Sequence, residues 1–375
     1  MRHGCHLRAA LPLALLFQIS AARPRPSATL HVWTNSPSDG PGTNWASAFH
    51  TIQAAVDASF DGDTVLVTNG YYDTGGALTP GYGLSNRVCV TNAIVLQSVN
   101  GPEETLIVGA PDPATGGLGS SAVRCVYLRG GAVCSGFLMT NGQTWATAAQ
   151  PVSHDADRGG GGAFIDTGGI VTNCTLIGNK SAWSGGGAFV SAGAEMSGCK
   201  LIRNGIGGGS LPSYKGGGIF CDAGGKAGDC LVISNVAMSG GGAFCLGTME
   251  RCTIRGNSTQ GMIPAHGGGV IVSGGGRLDG CVIEGNAVSG MGGGAYCESG
   301  SILSDCLVVN NVTDGFGYST LYSGGGVYCA AGSTLFNCVF VGNAVEGNGG
   351  GIWCTGGSTQ MNCIAHHNSA IGSGR

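Results

Sequence analysis

The sequence predicts an all-β fold: a parallel β-helix solenoid with an N-terminal capping helix. Three observations carry this. A unit of triple glycine, cysteine and asparagine recurs eight times, apolar residues alternate with a period of two inside each unit, and no unit holds a helical pattern of useful length.

The triple glycines end at Gly162, Gly187, Gly218, Gly242, Gly269, Gly294, Gly326 and Gly351. A cysteine follows twelve residues later at Cys174, Cys199, Cys230, Cys281, Cys306, Cys338 and Cys363, and ten residues later at Cys252. Five residues beyond each cysteine stands an asparagine: Asn179, Asn204, Asn235, Asn257, Asn286, Asn311, Asn343 and Asn368. A period of 25 residues or slightly more marks a solenoid.

Two residues after each cysteine the position is always apolar (Leu176, Leu201, Val232, Ile254, Ile283, Val308, Phe340, Ala365), and its neighbours admit charge, as at Lys200 and Arg255. This is a strand with the cysteine facing inward. A second strand follows the glycines, with small apolar first and third positions and an aromatic middle in seven copies of eight. Strands joined by turns at a fixed repeat stack into coils about 4.8 Å apart. Glycine permits φ > 0 at the corners. The asparagines read as an interior or corner ladder, tolerant of the left-handed conformation and hydrogen-bonded from coil to coil.

Composition agrees. Charged residues are 10%, against roughly 25% in ordinary domains, hydrophobic residues 42%, and there are 74 glycines with no Gly-X-Y period. Residues 1–22 read as a signal peptide: Arg2 and Arg8, an apolar run over 9–19 too short to span a membrane, and Ser20-Ala21-Ala22 as cleavage site. Loss of Arg2 and Arg8 takes the net charge from −4 to −6, so no basic footprint for nucleic acid is present. No later stretch suits a transmembrane helix. Residues 23–158 are expected to form the cap and early irregular coils, and 159–375 eight regular coils of about 25–32 residues. Phe49, Ile52, Val56 and Phe60 lie at helical spacing for the cap. At Arg375 a ninth glycine corner is due, so the C-terminus is expected to be truncated, with self-association through the uncapped end as the alternative.

GGGAF together with CTLIGN resembles the GGA(I/L/V) and FxxN repeats of polymorphic outer-membrane proteins, with cysteine near the place of that family's phenylalanine. TIQAAVDASFDGDTVLVTNGYY, and GFLMTNG at 136–142, are similar to the opening coils of right-handed parallel β-helices of the pectin-lyase-like group. The resemblance spans about residues 30–375 and implies a right-handed solenoid. It does not select an activity, since this architecture hosts lyases, hydrolases, epimerases and adhesins.

No catalytic residue, cofactor or metal site is expected. A lyase needs a strong base with an acidic cluster, and a hydrolase needs converging carboxylates. On a β-helix, convergence means one coil position in adjacent copies. Four residues after the glycines, Asp166, Asp222 and Glu298 are never in adjacent coils. Arg255 and Glu284 read as a surface ion pair, and Asp61 and Asp63 as turn residues. His154, Asp155, Asp157 and Arg158 form the densest polar group, a loop with metal or substrate binding as its alternative. Sixteen cysteines follow the signal, eight in the first column and five in a second (Cys221, Cys245, Cys297, Cys329, Cys354). They are expected to be buried and mostly reduced; inter-coil disulfides are the alternative, and in-register Cβ atoms sit slightly too far apart for them.

Two features suit recognition. The first is the column Phe164, Phe189, Phe220, Phe244, Ile271, Tyr296, Tyr328 and Trp353, expected to face outward, its C-terminal half stacking against sugar rings. The second is three long loops, 205–215, 258–266 and 312–323, leaving one corner in alternate coils and carrying Tyr214, Met262, His266, Phe316, Tyr318 and Tyr322. The binding candidates are therefore Tyr214, His266, Phe316, Tyr318, Tyr322, Tyr296, Tyr328 and Trp353. The expected function is an exported surface or extracellular scaffold, structural, adhesin-like or glycan-binding, with a polysaccharide or cell-surface glycan as partner. The alternative is a polysaccharide lyase or glycoside hydrolase acting on an acidic polysaccharide.

Overall fold

The computed structural model describes residues 25–145, 156–207, 215–260, 265–314 and 322–370. The expected signal segment lies outside the described residues, as do His154, Asp155, Tyr214, Met262, Phe316 and Tyr318.

Each regular coil supplies four short strands, two more than the repeat suggested. In the first they are Ala163–Ile165, Ile170–Thr172, Thr175–Ile177 and Lys180–Ser181; the chain then returns to pair Ala188–Val190 in parallel with Ala163–Ile165, Phe164 opposite Phe189. Repetition builds parallel sheets of 12, 11, 11 and 8 strands, with one antiparallel pair, Ala77–Leu78 with Ser85–Val90, at the edge of one of them. The chain is thus a parallel β-helix. The strand before each cysteine escaped notice because it is three residues long with one inward residue, as at Val171, Met196 and Leu278. Period two cannot be recognised over so short a run.

One core runs the length of the solenoid, from Leu30 to Phe340, and contains both cysteine columns. The sixteen described cysteines are free thiols, all buried except Cys354 and Cys363. The Cys174 thiol donates to Thr172 O at 3.2 Å and that of Cys199 to Ser197 O at 3.3 Å. Burial pushes the Cys89 thiol up to about 11 and Cys125 up to about 12, so the reactive thiolate is scarce there at neutral pH. In native protein, Cys354 and Cys363, the two thiols that are not fully buried, should react with a small aromatic disulfide ahead of the rest, but slowly, because the Cys329 hydrogen bond raises Cys354 and burial raises Cys363. The other fourteen should react only on unfolding; stoichiometric labelling followed by peptide mass mapping checks this.

The asparagines form the expected ladder along the interior. Asn204 Nδ2 donates to Leu176 O of the preceding coil at 2.9 Å and to Asn235 Oδ1 of the next at 3.0 Å. Its own Oδ1 accepts from Asn179 N and Nδ2 at 3.0 and 3.1 Å. They are not the left-handed residues, however. Positive φ belongs to the residue just before each ladder asparagine, such as Arg203 (53°) and Asn310 (53°), and just before column cysteines, such as Asn173 (53°) and Asp229 (53°). The glycine corner and the ladder are one device. A Cβ on Gly187 would meet Gly218 O at 2.7 Å and Asn204 Nδ2 at 2.9 Å, so the third glycine makes room for the amide.

The cap helix spans Ile52–Ala58, with Ile52, Ala55 and Val56 in the core and Thr51 as N-cap, its hydroxyl accepting from Ala54 N. It is shorter than the four-residue spacing implied. Phe49 precedes it, held by a backbone bridge to Val32, and Phe60 follows it, 63% exposed under the Arg25 guanidinium. Asp63 has the turn role expected: it is buried and accepts from Ala28 N, Phe60 N and Arg25. Burial works to raise its carboxyl, but these donors outweigh it and hold it below the usual range. At the far end, Gln360 and Ala365 occupy the inward positions of Leu335 and Phe340 yet are exposed.

Candidate functional site

The aromatic column faces away from the main core, but much of it is not at the surface. Phe164, Phe189, Phe220, Phe244 and Ile271 are buried in a second apolar cluster, which Tyr127 and Cys89 extend by two coils. This corrects the expectation of an outward, open column. The rings stack at 4.7, 4.8 and 5.3 Å between centroids from Phe164 to Phe244. Single-copy residues cover them: Ala156 joins the cluster, Arg124 lies over Phe164 at 5.2 Å and Lys215 over Phe244 at 4.2 Å.

Arg124 organises this cover, and nothing in the repeat pointed to it. It is fully buried. Its guanidinium donates to Gly160 O (2.9 Å), Gly159 O (2.9 Å), Ala156 O, Asn86 Oδ1 (2.8 Å) and Thr79 Oγ1 (3.2 Å). Burial pulls it down to about 10, opposed by the Asp157 carboxylate, so it is a cation at physiological pH. The described part of the HDADR loop is likewise structural. Asp157 accepts from Leu84 N (2.7 Å) and Gly83 N (3.2 Å), and Arg158 O accepts from Thr144 Oγ1.

The C-terminal half of the column is different. Tyr296, Tyr328 and Trp353 occupy successive coils and are only half-buried. His266 stacks on Tyr296 at 4.5 Å and Tyr296 on Tyr328 at 4.9 Å, nearly parallel. Both faces of Tyr296 are therefore occupied by protein, and what it offers outward is an edge. His266 Nδ1 is buried without a partner, and burial lowers the ring's proton affinity, so the imidazole is neutral at neutral pH. Tyr322 is fully buried with an unpartnered hydroxyl, which leaves it no face for a ligand. The long loops all leave the eight-stranded sheet, after Gly205–Ile206, Ser258–Thr259 and Val312–Thr313, and return beside Ser184, Met291 and their neighbours.

One pair of carboxylates does share a register. Glu250 lies opposite Asp279 in the next coil, two residues before the cysteines. Arg251 pairs bidentately with Asp229 at 2.8 Å and reaches Glu250 at 3.5 Å. Ser304 Oγ donates to Asp279 at 2.5 Å. The Ser304 hydrogen bond and then Arg277 hold Asp279 below the usual carboxylate range, and Arg251 does the same to Asp229. A general acid needs the opposite shift. The expected Arg255–Glu284 pair is present at 3.6 Å, exposed and worth little. Among the described residues no group of three or more His, Cys, Asp or Glu is placed to hold a metal ion, and no helix is long and apolar enough to cross a membrane.

Residues 216–370 match the family described as the right handed beta helix region. No curated protein matches the chain in sequence. Among solved structures it is similar to a TibC-catalysed, hyper-glycosylated TibA fragment at 14% identity, covering 92% of this chain and 96% of that one, with a TM-score of 0.31. Pectin methylesterase from carrot aligns at 12% identity over 92% and 86% of the two chains, TM-score 0.37. Pectin methylesterase PemA from Erwinia chrysanthemi aligns at 10% over 92% and 91%, TM-score 0.33. At these scores none of the three bears on what this chain does.

Proposed function

We propose that this right-handed parallel β-helix is an exported, adhesin-like scaffold that holds glycan chains on the uncovered half of its aromatic column. One observation carries the reading. The same column is sealed by Ala156, Arg124 and Lys215 in its first coils, yet Tyr296, Tyr328 and Trp353 are left half-exposed in register at its end. Amphipathic aromatic rings in a rigid row suit ligands with both apolar faces and hydroxyls. Sparse charge and a −4 balance favour such a ligand over nucleic acid.

The test is retention of the secreted protein on immobilised neutral and uronic polysaccharides. Tyr328→Ala and Trp353→Ala should each weaken retention by about tenfold, roughly 1.4 kcal/mol, as for anchor residues, with thermal unfolding unchanged. Unaltered retention in both variants would remove the column from the reading. The enzyme alternative rests on the Glu250–Asp279 register alone. The ion pairs of Glu250 with Arg251 and of Asp279 with Arg277, and the lowered Asp279 carboxyl, speak against it, and release of new chain ends that disappears in Glu250→Gln would establish it.

A further inference from the structure

We infer that the pocket between Trp33 and Trp45, at the opposite end of the solenoid from the open column, is a separate subsite for a neutral hexose unit. It shares a ligand class with the reading above but none of its residues. The pocket measures about 380 Å³ and is lined by Trp33, Trp45, Thr68 and Asn69, a size fit for a small ligand.

The site is built rather than incidental. Trp33 follows the first strand, Thr29–Val32, and its N–H donates to Phe49 O at 2.8 Å. Trp45 opens the 3-10 turn Trp45–Ser47, which Asn44 Oδ1 caps by accepting from Ala46 N and Ser47 N. The His31 ring packs against Trp45 at 4.5 Å and 79°, which fixes the indole. Across the pocket, Asn69 is oriented from the next coil: its Oδ1 accepts from Asn100 Nδ2 at 2.5 Å and its Nδ2 donates to Glu104 Oε2 at 3.3 Å. Thr68 N donates to Val32 O, tying this edge to the strand that carries Trp33.

The lining selects the ligand. Two half-exposed indoles offer electron-rich faces, which suit the C–H face of a pyranose. The Thr68 hydroxyl, and the amide hydrogen and lone pair of Asn69 left over from its bonds to Glu104 and Asn100, offer a donor and acceptors for ring hydroxyls. No Lys or Arg lines the pocket, and the lining Asn69 is hydrogen-bonded to the Glu104 carboxylate, so a uronate, sulfate or phosphate finds no cation there. A neutral hexose suits both the indoles and the polar groups. Unlike Tyr296, which is stacked between His266 and Tyr328, Trp45 lines the pocket and meets His31 in a T-shaped contact.

The test titrates the secreted chain with cellohexaose, mannohexaose and laminarihexaose, and with a galacturonate hexamer for comparison. Tryptophan emission and calorimetry are the readouts. The expected result is a saturable emission shift with at least one neutral hexamer and none with the acidic one. Trp45→Ala should lower that affinity at least tenfold, Trp45→Phe less, and Asn69→Ala several-fold, with unchanged thermal unfolding. Trp45→Phe retains the packing if the alanine variant fails to fold. No saturable response to any neutral hexamer overturns the inference, as does tighter binding of the acidic hexamer. Binding that survives Trp45→Ala and is lost in Tyr328→Ala places the sugar on the column and also overturns it.

Discussion

Asn257→Ala should destabilise the solenoid by roughly 3–5 kcal/mol, several times the cost of an ordinary surface change. The Asn257 amide ties three coils. Its Nδ2 donates to Val232 O (2.9 Å) and Asn286 Oδ1 (3.0 Å), and its Oδ1 accepts from Asn235 N (2.8 Å) and Nδ2 (3.0 Å). Alanine leaves the buried Asn235 N–H without a partner, at about 1–3 kcal/mol, strips one hydrogen bond each from Val232 O, Asn235 Nδ2 and Asn286 Oδ1, and opens space beside Gly242. Asn368, half-buried at the last coil of the ladder, should cost under about 1 kcal/mol when truncated, because its removal opens to water the Asn343 and Phe340 groups it bonded. Urea unfolding measures the difference. Hydrogen exchange should show the Asn257 defect opening the coils around it, since a solenoid transmits stability between neighbours. Equal costs at the two positions would mean that the ladder does not hold the wall together.

Arg124→Ala should cost about 3–5 kcal/mol and, more tellingly, uncover the first half of the aromatic column. The substitution removes the donor to five acceptors at once, three of them backbone carbonyls of the segment that covers Phe164. Arg124→Lys should not rescue it, because a single ammonium cannot span the fork geometry that reaches Thr79, Asn86 and Gly159 together. Binding of an apolar dye to the folded variant, with far-ultraviolet dichroism intact, reads the uncovered column. A stable variant with no dye binding would mean that the 156–160 segment is held by other groups.

Most of what repeats was legible in the sequence, apart from the short strand before each cysteine, and the single-copy contacts that cover the aromatic column were not. Cysteine, asparagine and glycine columns are visible because eight copies report the same environment. The ladder and the inward cysteines followed directly. The assignment of the left-handed corner to the asparagine failed, because the strained residue is its predecessor, where arginine, serine, asparagine and glycine all occur and no pattern stands out. The outward face of the column was read correctly from alternation, but its burial was not. Arg124, Ala156 and Lys215 are single residues brought there by contacts remote in sequence. The Trp33–Trp45 pocket was invisible for the same reason: it joins residues 33, 45 and 69 from irregular coils. Tyr322 was placed with the binding loops by position, and its burial is a tertiary fact.

The most direct test of the scaffold reading is to incubate the purified protein with a panel of neutral and acidic polysaccharides, following retention and chain cleavage on the same samples. The expected result is retention on at least one polysaccharide, with no increase in reducing ends and no near-ultraviolet absorbance from unsaturated product. Cleavage of any of them, lost in Glu250→Gln or Asp279→Asn, would contradict the scaffold reading and make the ion-paired carboxylates the centre of the protein's chemistry.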